Sequence, residues 1–106
     1  MLTAKEALLK TQIAKEDFEE KAKNFFIKKE KEIERLIIEA TEEGKTKIDI
    51  WFMSPELEIY EIKGKEATSI LTDYLKEKLS DLGYKTQVSY NPFSCSLLII
   101  CNWEEE

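Results

Sequence analysis

The first 43 residues contain neither glycine nor proline, and this absence limits the possible folds more than any other feature of the chain. Glycine and proline interrupt helices, whereas Ala, Leu, Lys and Glu, which dominate this stretch, favour them. Residues 3–43 are therefore predicted to be helical. Thr3 and Glu6 have the spacing of a capping box, which places the start of the helix there. Gly44 supplies the left-handed residue that ends it.

Whether this region forms one helix or two depends on its apolar residues. These are sparse between Ala14 and Phe25, and Asp17 could cap a second helix. Beyond that point a strong stripe follows one helical face, and it comprises Phe26, Ile33, Leu36, Ile37 and Ala40. We expect a weakly amphipathic first helix over 3–20 and a well-buried second helix over 22–43.

The second half of the chain alternates apolar and polar side chains, as strands do, around one further helix. Residues 46–53 predict a half-buried strand, and 56–63 could form a short returning strand. Helical spacing of apolar residues predicts a helix over 66–82, which Gly83 ends. Residues 84–90 then alternate again, and a turn at Asn91-Pro92-Phe93 leads to a last strand at Cys95–Cys101.

The last strand is apolar on both parities, because Leu97, Leu98, Ile99 and Ile100 are consecutive. Such a strand is typical of the centre of a sheet whose two faces are both covered. The predicted fold class is α+β, with a long N-terminal helical region and a small mixed or antiparallel β-[β]-α-β-β sheet whose last strand is central. The crossover helix would cover one face, and the helical region or a second copy of the chain would cover the other.

The length of 106 residues predicts a single domain over 1–106, divided into a helical region (3–43), a sheet-plus-helix core (44–103) and an acidic tail (104–106). No apolar run approaches a membrane span, and the first residues lack the pattern of a secretory signal. Cytoplasmic residence is therefore expected. The net charge of −6 argues against broad nucleic-acid binding and against anionic membranes.

The two cysteines are expected to be small core residues, because Cys95 and Cys101 share strand parity with Leu97 and Ile99. Six residues of strand separate them by roughly 20 Å, too far for a disulfide. The chain has no histidine and no CxxC pair, so no zinc site is expected.

No catalytic constellation stands out, so we predict no enzyme and no cofactor. Gly44-Lys45-Thr46 resembles the end of a phosphate loop, but position 39 is Glu and the helix precedes the loop instead of following it. A solvated acidic face accounts better than a catalytic pair for the carboxylates, which are Glu42, Glu43, Glu56, Glu58 and Glu61. Without histidine, a serine or cysteine nucleophile lacks an evident base.

Two sets of residues are candidates for binding. The first is a basic stripe on the helical region, Lys21, Lys28, Lys31 and Arg35, which could hold an anionic ligand or an acidic partner. Pairing of these cations with the interleaved glutamates at i,i+4 spacing is the favoured alternative. The second set is aromatic, and comprises Trp51, Tyr60, Tyr90, Phe93 and Trp103.

The aromatic set gives the stronger signal. Trp51 has the parity opposite to that of Ile48, Ile50 and Phe52 and should leave the core face, while the other four lie at strand ends or turns. Exposed Trp and Tyr anchor interfaces, unless the first helix or a second subunit covers them. That helix has a weak stripe of its own, Leu8, Leu9, Ile13 and Phe18, so a homo-oligomer is expected over a monomer.

The layout resembles small accessory proteins encoded by tailed bacteriophages. The residues that carry the resemblance are Thr3-Ala4-Lys5-Glu6-Ala7, Ile33 and Ile37 leading to Ala40-Thr41-Glu42-Glu43-Gly44-Lys45, Leu79 and Leu82-Gly83-Tyr84-Lys85 before Val88, and the apolar strand that closes at Trp103. The stretch 55–63 and the two cysteines depart from the usual pattern.

The resemblance implies a protein that binds and does not catalyse, present in the host cytoplasm. One implied role is an inhibitor of host defence, which blocks a host protein or sequesters an anionic nucleotide signal by aromatic stacking and a Lys or Arg clamp. The alternative is a virion structural or assembly accessory protein without a small ligand. A carboxylate-dependent enzyme is the weakest alternative.

Overall fold

The computed structural model describes residues 1–105, and in this range the chain forms three helices and one three-stranded sheet. The elements are, in order, α1 (Ala4–Glu42), β1 (Lys47–Phe52), α2 (Ser54–Ile59), α3 (Lys65–Asp81), β2 (Lys85–Asn91) and β3 (Ser96–Asn102). The predicted α+β class is confirmed. Of the predicted acidic tail, Glu104 and Glu105 are exposed and Glu106 lies outside the described residues.

Helix α1 is one uninterrupted helix of 39 residues, so the predicted division into two helices is wrong. The Thr3 side chain accepts a hydrogen bond from the Glu6 N–H at 3.1 Å, which confirms the predicted start. Asp17 caps nothing and pairs with Lys21 at 3.0 Å inside the helix. The helix continues because no residue in it breaks the backbone hydrogen bonds, although its apolar residues are sparse there. At 1.5 Å per residue it is about 58 Å long, close to the 61 Å long axis of the molecule.

The stretch predicted as a short returning strand contains helix α2 instead. Pro55 lies in its first turn, where the fixed φ of proline suits a helix and the missing N–H costs nothing. Leu57 is buried while Ile59 is exposed, so the two do not share a face as they would in a strand. Glu61 then adopts a left-handed conformation (φ 59°) that turns the chain and buries Ile62.

The sheet has the order β1-β3-β2, and both pairs are antiparallel, which confirms the last strand as the central one. Ile50 of β1, Ile99 of β3 and Val88 of β2 lie opposite one another in the register. Because β3 runs opposite to both neighbours, β1 and β2 are parallel to each other. Helix α3 makes the crossover between them, as parallel strands require.

Helices α1 and α3 both pack on the same face of the sheet, so the expectation that both faces are covered is wrong for the single chain. The covered face carries Ile50, Phe52, Leu97, Ile99 and Cys101, all buried. The other face carries Trp51, Leu98 and Ile100, which are exposed or half-buried. Leu98 and Ile100 are the reason why β3 is apolar on both parities. No helix of the described residues covers the face on which they lie.

Phe25 lies at the centre of the core. Its ring is fully buried and makes edge-to-face contacts with Phe52 and with Tyr60, each at 5.3 Å between ring centroids. Ala22 and Ile33 extend this buried side of α1, and α3 contributes Leu71, Leu75 and Leu79 from the other side. Strand β1, α1 and α2 are thus held together around one aromatic cluster.

The cysteines differ from each other. Cys101 is buried in the core as predicted, and burial raises the pKa of its thiol to about 11. The prediction for Cys95 is wrong: it is exposed in the turn before β3, with φ 52°, because the strand begins one residue later at Ser96. Both thiols are free.

Candidate functional site

The most unusual surface is the N-terminal part of α1, residues 4–17, which we call the arm. Every residue of the arm is exposed except Ala7, which is partly covered. The first side chain of α1 that packs on the core is Phe18, and the first that is buried is Ala22. Fourteen helical residues, about 21 Å of helix, therefore project beyond the core.

The arm carries the start of an apolar stripe that follows the outer side of α1. Successive residues of an α-helix are rotated by about 100° around its axis. Residues that are 4, 11 or 14 positions apart therefore lie within about 40° of one another on the helix surface. Those spacings connect Leu9, Ile13, Ile27 and Ile38, which are between 49% and 59% exposed. We call this set the outer stripe. Phe18 lies on the opposite side of the helix from Leu9, so the weak stripe predicted from Leu8 to Phe18 does not share one face.

The basic residues predicted as a ridge lie along the outer stripe. Lys28, Lys31 and Arg35 are all exposed; Lys31 lies in line between Ile27 and Ile38, and Lys28 and Arg35 lie on one border of the stripe. Arg35 donates to Glu39 at 2.7 Å, an i,i+4 pair of the kind that the alternative interpretation favoured. Lys21 is separate from this group, because it reaches both Asp17 at 3.0 Å and Glu61 at 3.6 Å. Its hydrogen bond to Asp17, which outweighs burial, raises the pKa of Lys21.

A second candidate surface is the uncovered face of the sheet, which we call the open sheet face. Trp51, which is 57% exposed, lies in one cross-strand row with Leu98 and Ser89. The next row consists of Asp49, Ile100 and Gln87. The position of Trp51 outside the core agrees with the parity argument. The face is a small apolar centre with a polar surround.

The other predicted aromatic residues have different surroundings. Tyr60 packs against Phe25 in the core, and Tyr90 is half-buried on the covered face of the sheet. Trp103 packs edge-to-face on Tyr84 at 6.1 Å. Phe93 is 97% exposed at the tip of the turn between β2 and β3. A hydrogen bond to Cys95, followed by burial, raises the pKa of Tyr90.

The predicted binding residues therefore do not converge. Helix α1 lies with its inner side on the covered face of the sheet, so its outer side and the open sheet face point in opposite directions. Arg35 and Trp51, which would form a nucleotide clamp together, lie on these two opposite surfaces. The structure brings together Lys28, Lys31 and Arg35 as one group, and leaves Trp51, Tyr60, Phe93 and Trp103 apart.

Lys29 is the cation with the most enclosed surroundings. Its side chain is only 16% exposed, and its ammonium lies 5.5 Å from the Phe52 ring centre, 5.7 Å from that of Tyr60 and 3.1 Å from the Glu56 carboxylate. Burial by itself would lower the pKa of Lys29, but the hydrogen bond and charge of Glu56, with Tyr60 and Glu32, outweigh it and raise the pKa. Because all these groups are engaged with one another, Lys29 fixes α2 against α1.

The carboxylates named in the sequence do not assemble into one cleft. Glu56 and Glu61 pair with different lysines of α1, and Glu43 pairs with Lys45 at 2.7 Å. That contact, more than the small effect of burial, raises the pKa of Lys45. Within residues 1–105 no group of three or more metal-ligating side chains lies close enough to hold an ion.

Sequence reasoning missed the outer stripe, because the interval of 14 residues between Ile13 and Ile27 hides its periodicity. A helical wheel drawn for one continuous helix would have placed Leu9, Ile13, Ile27 and Ile38 on one side. No helix in the described part of the chain is long and apolar enough to cross a membrane. No family model, curated protein or solved structure matches the chain.

Proposed function

We propose that this chain is a non-enzymatic binding protein that holds a host protein against the outer side of α1. In the phage setting that the resemblance suggests, it acts as an inhibitor of host defence in the host cytoplasm. The observation that carries the proposal is the arm, about 21 Å of helix that projects beyond the core with Leu9 and Ile13 exposed. A helix that served only this fold could begin at Phe18.

Burial of the outer stripe offers enough free energy for a specific contact. Covering one large aliphatic side chain contributes about 1.5–3 kcal/mol when it was fully exposed, and these side chains are about half exposed. Leu9 and Ile13 have the i,i+4 spacing with which an amphipathic helix binds in an apolar groove. Farther along, Glu20 and Lys31 lie in the same line between the apolar residues. The costs of association reduce the net gain, so the full stripe is needed for tight binding.

The shape of the surface favours a protein over a nucleotide. From Leu9 to Ile38 the outer stripe covers 29 helical steps, about 44 Å, far more than a nucleotide occupies. The stacking aromatic and the cations that a nucleotide clamp needs lie on opposite surfaces of the molecule. A partner with its own helix or groove can follow the whole stripe.

Charge defines the partner further. In the C-terminal half of α1, Lys28 and Arg35 lie along one border of the outer stripe, and Glu30 and Glu34 lie along the other. A partner that presents apolar side chains with acidic residues toward the first border is attracted there, whereas a uniformly acidic surface is repelled by the net charge of −6.

The experiment places a photo-reactive amino acid at position 13 in the chain expressed in host cells. We expect one discrete cross-linked host protein, both from position 13 and from position 10. The double variant Leu9→Glu, Ile13→Glu, which carries the cross-linker at position 10, should lose this cross-link. The control variant is Ile59→Glu, because Ile59 is also exposed but lies in α2. It should retain the cross-link.

Two results would contradict the proposal. One is a cross-link that survives the arm variant, and the other is a melting temperature that rises with a nucleotide and loses that rise in Arg35→Ala and Trp51→Ala. Co-sedimentation with phage particles in place of a host protein would replace the proposed role with that of an assembly accessory protein.

A further inference from the structure

Strand β2 forms one edge of the sheet, and after Lys85 at its start it carries no charged side chain. Edge strands are usually protected by charged side chains, proline, bulges or a covering element, because their unpaired N–H and C=O groups invite another strand. From Thr86 to Asn91 the strand has no charge, no proline and six consecutive residues able to pair. The nearest proline, Pro92, comes after its end.

The opposite edge of the sheet differs. Strand β1 carries Lys47 and Asp49, which lie 3.9 Å apart, and Lys45 with Glu43 immediately before it. These charged side chains discourage pairing at β1, so the two edges are not equivalent.

The core is also incomplete at the β2 edge. On β3 the side chains that face the helices, Leu97, Ile99 and Cys101, are fully buried. Their neighbours on β2, Thr86, Val88 and Tyr90, are only half-buried. A groove of about 720 Å³ between β2 and α3 leaves them open, and Thr68 and Thr72 form its other wall.

We propose that β2 pairs antiparallel with β2 of a second copy about a two-fold axis at Val88, which joins the two sheets into one of six strands. The two-fold axis fixes the register. Val88 lies opposite Val88 of the second copy, so the residue numbers of any two opposed residues add up to twice 88, which is 176. Thr86 then lies opposite Tyr90 of the second copy, and Gln87 lies opposite Ser89. No two like charges face each other in this register, since Lys85 meets Asn91.

The second copy fits this edge for a structural reason. A two-fold axis perpendicular to the sheet keeps the helices of both copies on one face of the joined sheet. The half-buried side chains of the two β2 strands then lie next to one another on that face. The helix α3 of each copy then lies beside the groove of the other. Ser69 and Thr72, small residues along that side of α3, leave room for the approach. This interface uses neither the arm nor the outer stripe, so it is independent of the proposed function.

The first test is the mass of the full chain in solution by sedimentation velocity. We expect twice the 12.4 kDa of one chain at micromolar concentration. The double variant Gln87→Lys, Ser89→Lys puts like charges opposite each other in two pairs across the axis, and should raise the dissociation constant by about two- to thirtyfold. Gln87→Lys with Ser89→Glu puts opposite charges there in the same register, and should keep the dimer. Circular dichroism must show that each variant stays folded.

The second test is disulfide trapping in a Cys95→Ser background. Opposed residues of antiparallel strands have Cα atoms about 4.5–5.5 Å apart, within reach of a disulfide. Val88→Cys should therefore give a covalent dimer on mild oxidation, whereas Asp49→Cys on the other edge should not. A monomer in solution, a dimer that both lysine substitutions leave unchanged, or no cross-link at position 88 would each overturn the proposal.

Discussion

The two parts of α1 have similar chemistry and different surroundings. Residues 4–17 and residues 18–42 are both rich in Glu and Lys, and both are helical. The second part packs Ala22, Phe25 and Ile33 into the core, whereas the first part has no buried residue. The difference shows that helix formation and packing have separate causes here. Local propensity extends the helix, and the position of the large apolar residues determines where it is anchored.

The comparison also separates stability from binding. A change in the anchored part should alter the free energy of unfolding, while a change in the arm should alter only local order and contact with a partner. Each of the following experiments compares a covered position with an uncovered one.

The largest effect is expected at Phe25. Phe25→Ala removes a fully buried ring and its contacts with Phe52 and Tyr60, and should lower the free energy of unfolding by about 3–5 kcal/mol. Ile13→Ala in the arm should change it by less than about 0.5 kcal/mol. Urea denaturation followed by circular dichroism measures both. Equal losses would mean that the arm is packed in solution.

A smaller effect is expected at Lys29. Lys29→Met keeps the apolar stem between the rings of Phe52 and Tyr60 but leaves Glu56 Oε2, an atom already without a well-aligned hydrogen bond, with no cation. Breaking a buried ion pair costs about 3–5 kcal/mol, and the partial exposure of Glu56 reduces the expected loss to about 1–2 kcal/mol.

Lys15→Met is the matched control, because Lys15 is exposed in the arm. It should leave the urea midpoint unchanged. If both variants lost the same stability, the enclosure of Lys29 by Glu56 and the two rings would not be what holds α2 on α1.

The two cysteines extend the comparison to the sheet. Burial raises the pKa of the Cys101 thiol from 9.0 to about 11. The native state therefore holds this proton at a pH where the unfolded state has lost it, so the stabilising contribution is complete below pH 9 and is lost between pH 9 and about 11. Cys101→Ala should be less stable than the natural chain at pH 8, and the gap should narrow toward pH 11.

Thiol labelling gives the second readout. The exposed Cys95 should react with a maleimide in the native state, and Cys101 should react only after unfolding. Rapid labelling of both residues at neutral pH would show that the core around β3 opens readily.

The smallest effect on global stability is expected in the arm itself. Ala14→Gly weakens a helix interior by about 1 kcal/mol, but only the helix N-terminal to it should fray. Hydrogen exchange should show faster exchange in residues 4–13, with the exchange of residues 22–40 and the urea midpoint unchanged. Slow exchange in the arm of the natural chain would contradict the expectation that the arm lies uncovered.

Several features of the fold followed from the sequence because their signals are local. The capping hydrogen bond of Thr3, the left-handed glycines at 44 and 83, and helix α3 were predicted from residue type and short spacing. The central position of β3 followed from its apolar character. The strand predicted for 56–63 was wrong because Leu57, Ile59 and Ile62 fit a strand as well as a helix. Only the packing of this segment against Phe25 and Lys29 favours the helix over the strand.

The candidate site was less accessible from the sequence. Lys28, Lys31 and Arg35 were placed on one helical side from their spacing, and the exposure of Trp51 from its parity. Their placement on opposite surfaces was not predictable, because it depends on which face of the sheet α1 covers. The edge at β2 likewise appears only when the strand order is known.

The sequence by itself therefore determined that residues 4–42 are helical and that a small sheet follows with β3 at its centre, because propensity, caps and periodicity act over a few residues. Only the tertiary structure decided that α1 is one helix packed along part of its length, with the arm projecting and one face of the sheet open. The physical reason is that packing joins residues far apart in the chain, and the two helices reached the same face of the sheet.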